Sequence, residues 1–219
     1  MSKYLNWGET TLEEASETDI SLHYDKGYLF TRKSKGNMYQ SRSLRIKLID
    51  FSLTSENRRI LKKMPELELE VVKLPLIDYD WRIHKLGKDF YTNKFKDISF
   101  SAAKIKQLLT ADKASNFNSL FRFSLNSENI GYTIAYMNHA LLHYAYPFYD
   151  YLTYPNNLGM AMMLRSILYA QEQGLQFVYL GTLSRPSDVY KLQFNGLEWF
   201  DGQIWVKDLE KAKEILSNS

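Results

Sequence analysis

Between residues 143 and 181 the chain reads as strand, then helix, then strand, and that order leaves few ways to fold. HYAYPFYD (143–150) is rich in the aromatic residues that favour strands, and GYTIAYM (131–137) before it is separated by only a short turn. A turn at Pro155–Asn157 opens a helix at Leu158, Gly174 closes it, and QFVYLG (176–181) follows as a buried strand. Two strands joined through a helix run parallel, because the helix carries the chain back to the end of the sheet where it started. The sequence therefore predicts an α/β (α+β) chain with a mixed central sheet and flanking helices.

The remaining segments are less regular. Residues 1–20 read as a loosely held tail. LRIKLIDF (44–51) alternates like a half-buried strand, and SLTSENRRILKKM (52–64) reads as a short helix with Thr54 or Ser55 as cap and Pro65 as stop. Residues 66–98 give one strand at 67–74 and then aromatic-rich connections. A helix is expected over 100–110, capped by Ser99 or Ser101. After residue 181 come a segment centred on Tyr190–Phe194, a strand through Trp205 and a helix at 208–217. We expect two parts: a small N-terminal appendage at 1–65 and the α/β domain at 66–219.

Several chemistries are excluded by composition. Cysteine is absent, which removes disulfides, thiolate metal sites, iron–sulfur clusters and thiol nucleophiles. His139 and His143 are spaced as helical metal ligands would be, but they lie where a turn enters a strand and read as packing or hydrogen-bonding residues. No metal site or cofactor is expected. Ser184 and Ser187 lie near Asp188 without a histidine, so a serine hydrolase is rejected. With 45% hydrophobic residues the chain can build a sizeable core. No apolar run approaches the roughly 18 residues of a membrane span, and the polar start is no secretory signal, so a cytoplasmic protein is expected. The net charge is only +3, but basic residues crowd into 26–63, a density suited either to phosphates or to a solvated surface.

One junction carries chemistry. Asn156-Asn157-Leu158-Gly159-Met160-Ala161 fits the loose pattern Q/R-x-x-G-x-G/A of acyltransferase folds, with Asn156 in the first slot. Free N–H groups at a helix start, approached closely because glycine has no side chain, can bind a phosphate or a polarised oxygen. A glycine kept for close packing is the plainer alternative. The wider stretch is more specific. Phe148-Tyr149-Asp150, Asn157-Leu158-Gly159, Gly174-Leu175-x-Phe177-Val178-Tyr179-Leu180-Gly181, Tyr190-Lys191-x-x-Phe194, Glu198 and Gly202-x-x-Trp205 follow in order. In that order and spacing the chain resembles the arginyl-tRNA–protein transferases and their bacterial aspartate/glutamate leucyltransferase relatives, which have a GNAT-like fold. Leu44-Arg45-Ile46, Phe51 and Arg58-Arg59-Ile60-Leu61-Lys62-Lys63 add a second, upstream patch. Where the family carries cysteines before the arginine, this chain has Ser41. Asn138 stands where the family has an aspartate, Asn157 replaces the usual serine, and Asn195-Gly196 replaces a proline-containing link.

The resemblance implies an aminoacyl-tRNA-dependent aminoacyltransferase that forms a peptide bond on the amino group of a protein or peptide, with charged tRNA as co-substrate and no further cofactor. It implies catalytic roles for Asp150, Tyr179, Gly181, Tyr190 and Lys191, and substrate contacts from Tyr149, Asn157, Leu158, Gly159 and Glu198. Arg45, Arg58, Arg59, Lys62 and Lys63 would meet the tRNA backbone. Alternatives that use the same cleft are an acyl-CoA-dependent GNAT N-acyltransferase, a tRNA-dependent enzyme that builds a small peptide, and a non-catalytic relative that binds tRNA or protein. No membrane partner is expected, and the amino acid transferred, the acceptor and the oligomeric state stay open at this stage.

Overall fold

The computed structural model describes residues 6–154 and 156–217; the expected turn residue Pro155 lies outside them. In chain order the elements are β1 (Gly8–Thr11), α1 (Glu17–Asp25), β2 (Tyr28–Phe30), β3 (Asn37–Gln40), β4 (Ser43–Lys47) and α2 (Ser55–Lys63). Next come β5 (Glu68–Lys73), α3 (Trp81–Phe95), α4 (Ala102–Thr110), β6 (Ser119–Leu125), β7 (Glu128–Met137) and β8 (Leu141–Tyr149). The chain closes with α5 (Leu158–Glu172), β9 (Phe177–Thr182), β10 (Leu197–Phe200), β11 (Trp205–Val206) and α6 (Leu209–Ser217). One sheet has the order β1-β3-β2, and a larger mixed sheet has the order β11-β10-β4-β9-β8-β7-β6-β5.

The predicted crossover is present: β8 pairs with β9 in parallel, Leu141 opposite Phe177 and His143 opposite Tyr179, with α5 between them in sequence. Gly174 ends α5 with a φ of +73° and no atom within 4 Å of where a Cβ would stand, so conformation rather than space demands glycine there.

Two compact units share these elements. The first comprises residues 1–54, 138–143 and 170–219. Its core contains Tyr24, Leu44, Ile46, Val178, Tyr179 and Trp199. Residues 6–20, expected to be a loose tail, are instead built into this unit. β1 pairs with β3, and α1 opens on a capping box in which Ser16 Oγ accepts from Asp19 N and Asp19 Oδ2 accepts from Ser16 N. The expected strand over 44–51 is shorter and does not alternate. Leu44, Arg45 and Ile46 are all buried, so both faces of β4 are covered, and a short 3-10 turn takes over at Leu48–Asp50. The segment around Tyr190 is also 3-10, over Pro186–Gln193.

The second unit comprises residues 55–137 and 144–169, with Phe100, Ile105, Phe121, Phe123, Phe148 and Met162 in its core. The helices expected at 52–64 and 100–110 are α2 and α4, the latter capped by Ser101. The aromatic-rich connections are the main departure, since much of that segment is the 15-residue helix α3. Asp80 caps α3, accepting from Arg82 N. Its buried residues are Ile83, Gly87, Phe90 and Tyr91, which fall on one face.

Candidate active site

In the second unit, β8 ends at Tyr149 and the chain turns at once. Asp150 N donates to Ile130 O at 2.9 Å, and Asp150 Oδ1 accepts from Thr153 N at 3.1 Å. Asn157 then takes a left-handed φ of +66°, which asparagine tolerates better than most residues, and α5 begins. Leu158 is fully buried and its N–H already donates to Asn156 O at 2.9 Å, so the expected ligand contact through that amide does not exist. Ala161 N donates to Asn157 O at 2.8 Å. The N–H groups of Gly159 and Met160 meet no acceptor among the described residues, as first-turn donors commonly do not.

Gly159 is explained by its neighbour. A Cβ there would stand 2.7 Å from Tyr149 Oη and 2.9 Å from Tyr149 Cε1. The phenol therefore rests against the first turn of α5, and any side chain at 159 would displace it. Close packing, the plainer of the two roles weighed for this glycine, is what the geometry shows.

Tyr149 brings in a residue that the sequence did not single out. Lys94, in the last turn of α3, donates from Nζ to Tyr149 Oη at 2.5 Å. The ammonium also lies 4.6 Å from the centroid of the Tyr149 ring, 5.2 Å from that of Phe90 and 5.9 Å from that of Tyr151. No carboxylate pairs with it among the described residues. Lys94 lies on a helix expected from the sequence to be a connection; the signals for that helix are the Asp80 cap and the spacing of Ile83, Phe90 and Tyr91.

The first unit uses its charges differently. Arg45, expected on a nucleic-acid surface, is only 7% exposed. Its Nε donates to Glu198 Oε2 at 2.9 Å and its Nη1 to Asp25 Oδ1 at 2.7 Å. The guanidinium is sandwiched 4.2 Å from the Phe177 ring centroid and 4.0 Å from that of Trp205. Glu198, expected to touch substrate, is the buried partner of this arginine. Tyr179, expected to be catalytic, is 1% exposed, and burial pushes its hydroxyl up to about 12, so it stays protonated. Lys191 is likewise occupied, bonding Thr182 O at 3.0 Å and Asp188 Oδ1 at 3.0 Å. Asp188 Oδ2 in turn accepts from Ser184 N and Arg185 N, so this pair fixes the loop after β9. Gly181 has a φ of +82° with open space at its Cβ position, and Tyr190 is exposed. A cavity of about 490 Å³ beside Asp25, Lys26, Tyr28, Phe200 and Trp205 is lined by none of the site residues expected from sequence.

The other basic residues remain on the surface. Arg58, Arg59, Lys62 and Lys63 are exposed on α2, opposite its buried Asn57 and Ile60, and Arg59 pairs with Glu56. The histidines are structural. His139 meets Glu17 Oε2 at 2.8 Å, and buried His143 meets the Tyr24 hydroxyl at 2.9 Å while desolvation holds its ring down to about 3. Ser41, at the family's cysteine position, is buried and bonds Thr182 Oγ1 at 2.9 Å. Asn138 Oδ1 accepts from Ala140 N and Leu141 N, and its Nδ2 donates to Ser21 Oγ at 3.0 Å, a donation an aspartate could not make.

No protein-family model matches the chain. Its structure is similar to the C-terminal domain of a putative lysylphosphatidylglycerol synthetase from Agrobacterium fabrum, with a TM-score of 0.52 and 13% identity, over 81% of this chain and 55% of that one. The chain thus spans about half the length of that solved neighbour, and the likeness concerns the fold. That fold is a GNAT-like acyltransferase fold. Sequence narrows the class. An aspartate/glutamate leucyltransferase from Pseudomonas aeruginosa is 25% identical over 206 residues, covering 89% of this chain and 86% of that protein. Another from Ruegeria pomeroyi is 42% identical over 62 residues, covering 27% of this chain and 23% of that protein. Over most of its length the chain is therefore a homologue of aspartate/glutamate leucyltransferases, which are aminoacyl-transferring enzymes. No helix among the described residues is long and apolar enough to cross a membrane.

Proposed function

We propose that this chain transfers an aminoacyl group, leucyl in the first instance, from aminoacyl-tRNA to the α-amino group of a protein or peptide that begins with Asp or Glu. The donor and acceptor follow the names of its relatives. The observation that carries the chemistry is the start of α5, where the Tyr149 phenol rests against Gly159 and the N–H groups of Gly159 and Met160 meet no acceptor among the described residues.

The amine nitrogen attacks the ester carbonyl carbon, and the carbonyl electron pair moves onto oxygen. The α5 amides and the Tyr149 hydroxyl stabilise that oxyanion. Its collapse breaks the bond to the ribose oxygen, which leaves as a hydroxyl, while the nitrogen gives up one proton. Asp150 Oδ2, which takes no bond among the described residues, relays that proton towards the ribose oxygen. The ester supplies the driving force, so orientation and oxyanion stabilisation are what the protein must add. This reading assigns no metal or cofactor. The exposed basic face of α2 meets tRNA phosphates, and the working compartment is the cytoplasm, where charged tRNA is found.

The test is transfer of labelled leucine from leucyl-tRNA to peptides beginning with Asp, Glu or Ala. Product on Asp and Glu peptides is expected. Product only from arginyl-tRNA would move the donor assignment. Absence of product with every charged tRNA, together with a rise in melting temperature on adding acetyl-CoA, would overturn the proposal in favour of acyl-CoA chemistry.

A further inference from the structure

We infer that Lys94 is a positioning residue for this reaction, holding Tyr149 so that the tyrosine proton is donated to the ester oxygen at the start of α5. The inference rests on the reading of α5 as the acyl site. Its first support is the direction of one hydrogen bond. An ammonium group has three donors and no acceptor, so in the 2.5 Å contact Lys94 must give and Tyr149 Oη must accept. The hydroxyl's own proton then has to point elsewhere. No acceptor for it exists among the described residues, although Tyr149 is only 8% exposed. That proton is left available to a group from outside the chain.

Position gives the second support. The phenol oxygen is held 2.7 Å from where a Gly159 Cβ would stand, against the turn whose first two amides meet no acceptor among the described residues. Three donors therefore gather at one end of α5, backed by a cation that no carboxylate neutralises among the described residues. The rings of Phe90 and Tyr151 lie within 6 Å of that cation, beside the Tyr149 hydroxyl it bonds. This arrangement suits an oxygen that becomes negative in the transition state better than one that is negative beforehand. Its fixed dipoles and charge are already aligned and need no reorganisation. Lys94 touches no reacting atom; it acts through Tyr149.

Steady-state transfer from leucyl-tRNA to a peptide beginning with Asp would be measured for wild type, Lys94→Met, Lys94→Arg, Tyr149→Phe and the double variant Lys94→Met/Tyr149→Phe. Lys88→Met, an exposed lysine on the same helix, is the control. Loss of one oxyanion donor predicts a fall of about 100-fold in kcat for Lys94→Met and for Tyr149→Phe, with both KM values nearly unchanged. Because the two act as one unit, the double variant should be no slower than either single. Lys94→Arg should recover most of the loss, and Lys88→Met should match wild type. An active wild type with an equally active Lys94→Met, or a change confined to KM, overturns the role of Lys94 and leaves the proposed reaction standing. A wild type inactive with every charged tRNA overturns the reaction and this role with it. If Lys94→Met loses its circular dichroism signature, the pair Lys94→Arg (active) and Tyr149→Phe (slow) decides the matter.

Discussion

Replacing Gly159 by alanine tests the packing on which the candidate site is built. Gly159 sits in the first turn of α5 without a left-handed φ, so the backbone accepts alanine. Helix propensity alone would make that change stabilising by about 0.5–1 kcal/mol. Against this, the new methyl meets Tyr149 Oη at 2.7 Å, Cε1 at 2.9 Å and Cζ at 3.0 Å. The ring cannot swing away without giving up its hydrogen bond from Lys94. Overpacking of this kind costs about 1–3 kcal/mol, so the net expectation is a loss of up to about 2.5 kcal/mol. In a chain of this size that lowers Tm by up to about 10 °C. Melting followed by circular dichroism measures it, and a double-mutant cycle with Tyr149→Phe assigns it. Phenylalanine lacks the closest of the three clashing atoms, so the combined variant should be more stable than additivity predicts by at least about 0.5 kcal/mol. Gly174→Ala, with open space around it, should be additive with Tyr149→Phe. A Gly159→Ala protein that melts higher than wild type, or a cycle that closes without coupling, would refute the reasoning.

Arg45→Leu leaves the Glu198 carboxylate buried without its main partner, and a loss of about 3–5 kcal/mol in urea unfolding is expected. Arg45→Leu/Glu198→Leu should recover much of it, and neither variant should change tRNA affinity. His143, held down to about 3 by burial, resists protonation only while folded. The unfolded chain therefore binds its proton first as pH falls below about 6.5, and stability declines between there and about 3. Urea midpoints across that range should fall with acidity in wild type and change less in His143→Gln. Replacing Arg58, Arg59, Lys62 and Lys63 together by Gln should flatten the dependence of log K for tRNA on log salt, by about 0.7–0.9 for each phosphate that is no longer neutralised. An unchanged slope in filter binding would remove α2 from the tRNA surface.

The crossover was legible because each of its parts has a local signal: a tyrosine-rich strand, the glycine that ends α5, and a short apolar strand after it. α3 was not, and Gly87 is the reason. The buried positions of that helix are Ile83, Gly87, Phe90 and Tyr91, a regular helical spacing with an empty second place. A Cβ there would come within 2.9 Å of Ile105 Cδ1, so the place is filled by a residue further along the chain. The capping box of α1 is legible as Ser16-x-x-Asp19, but it sits among acidic residues whose composition resembles a tail. Arg45 is a different kind of miss. Its burial depends on sheet register, which sets it opposite Glu198 on β10 and Tyr179 on β9. Those partners lie far away in sequence, so nothing near Arg45 distinguishes a buried arginine from a surface one.

What separates structural from chemical residues here is whether their bonding capacity is used. In the first unit the charged groups singled out from sequence are already satisfied: Arg45 by Glu198 and Asp25, and Lys191 by Asp188 and a carbonyl. Such closed sets hold loops and strands in place, and removing one member costs stability before it costs anything else. The end of α5 is the opposite case. Two amides, one phenolic proton and one ammonium charge there lack a full complement among the described residues, and the glycine that admits the phenol keeps them together. A protein that gained nothing from this arrangement would be more stable with a carboxylate near Lys94 to neutralise the charge and accept the tyrosine proton. Introducing one should then raise stability and abolish transfer. Tyr151→Glu, whose ring now lies 5.9 Å from the Lys94 ammonium, is the substitution in which those two effects should part.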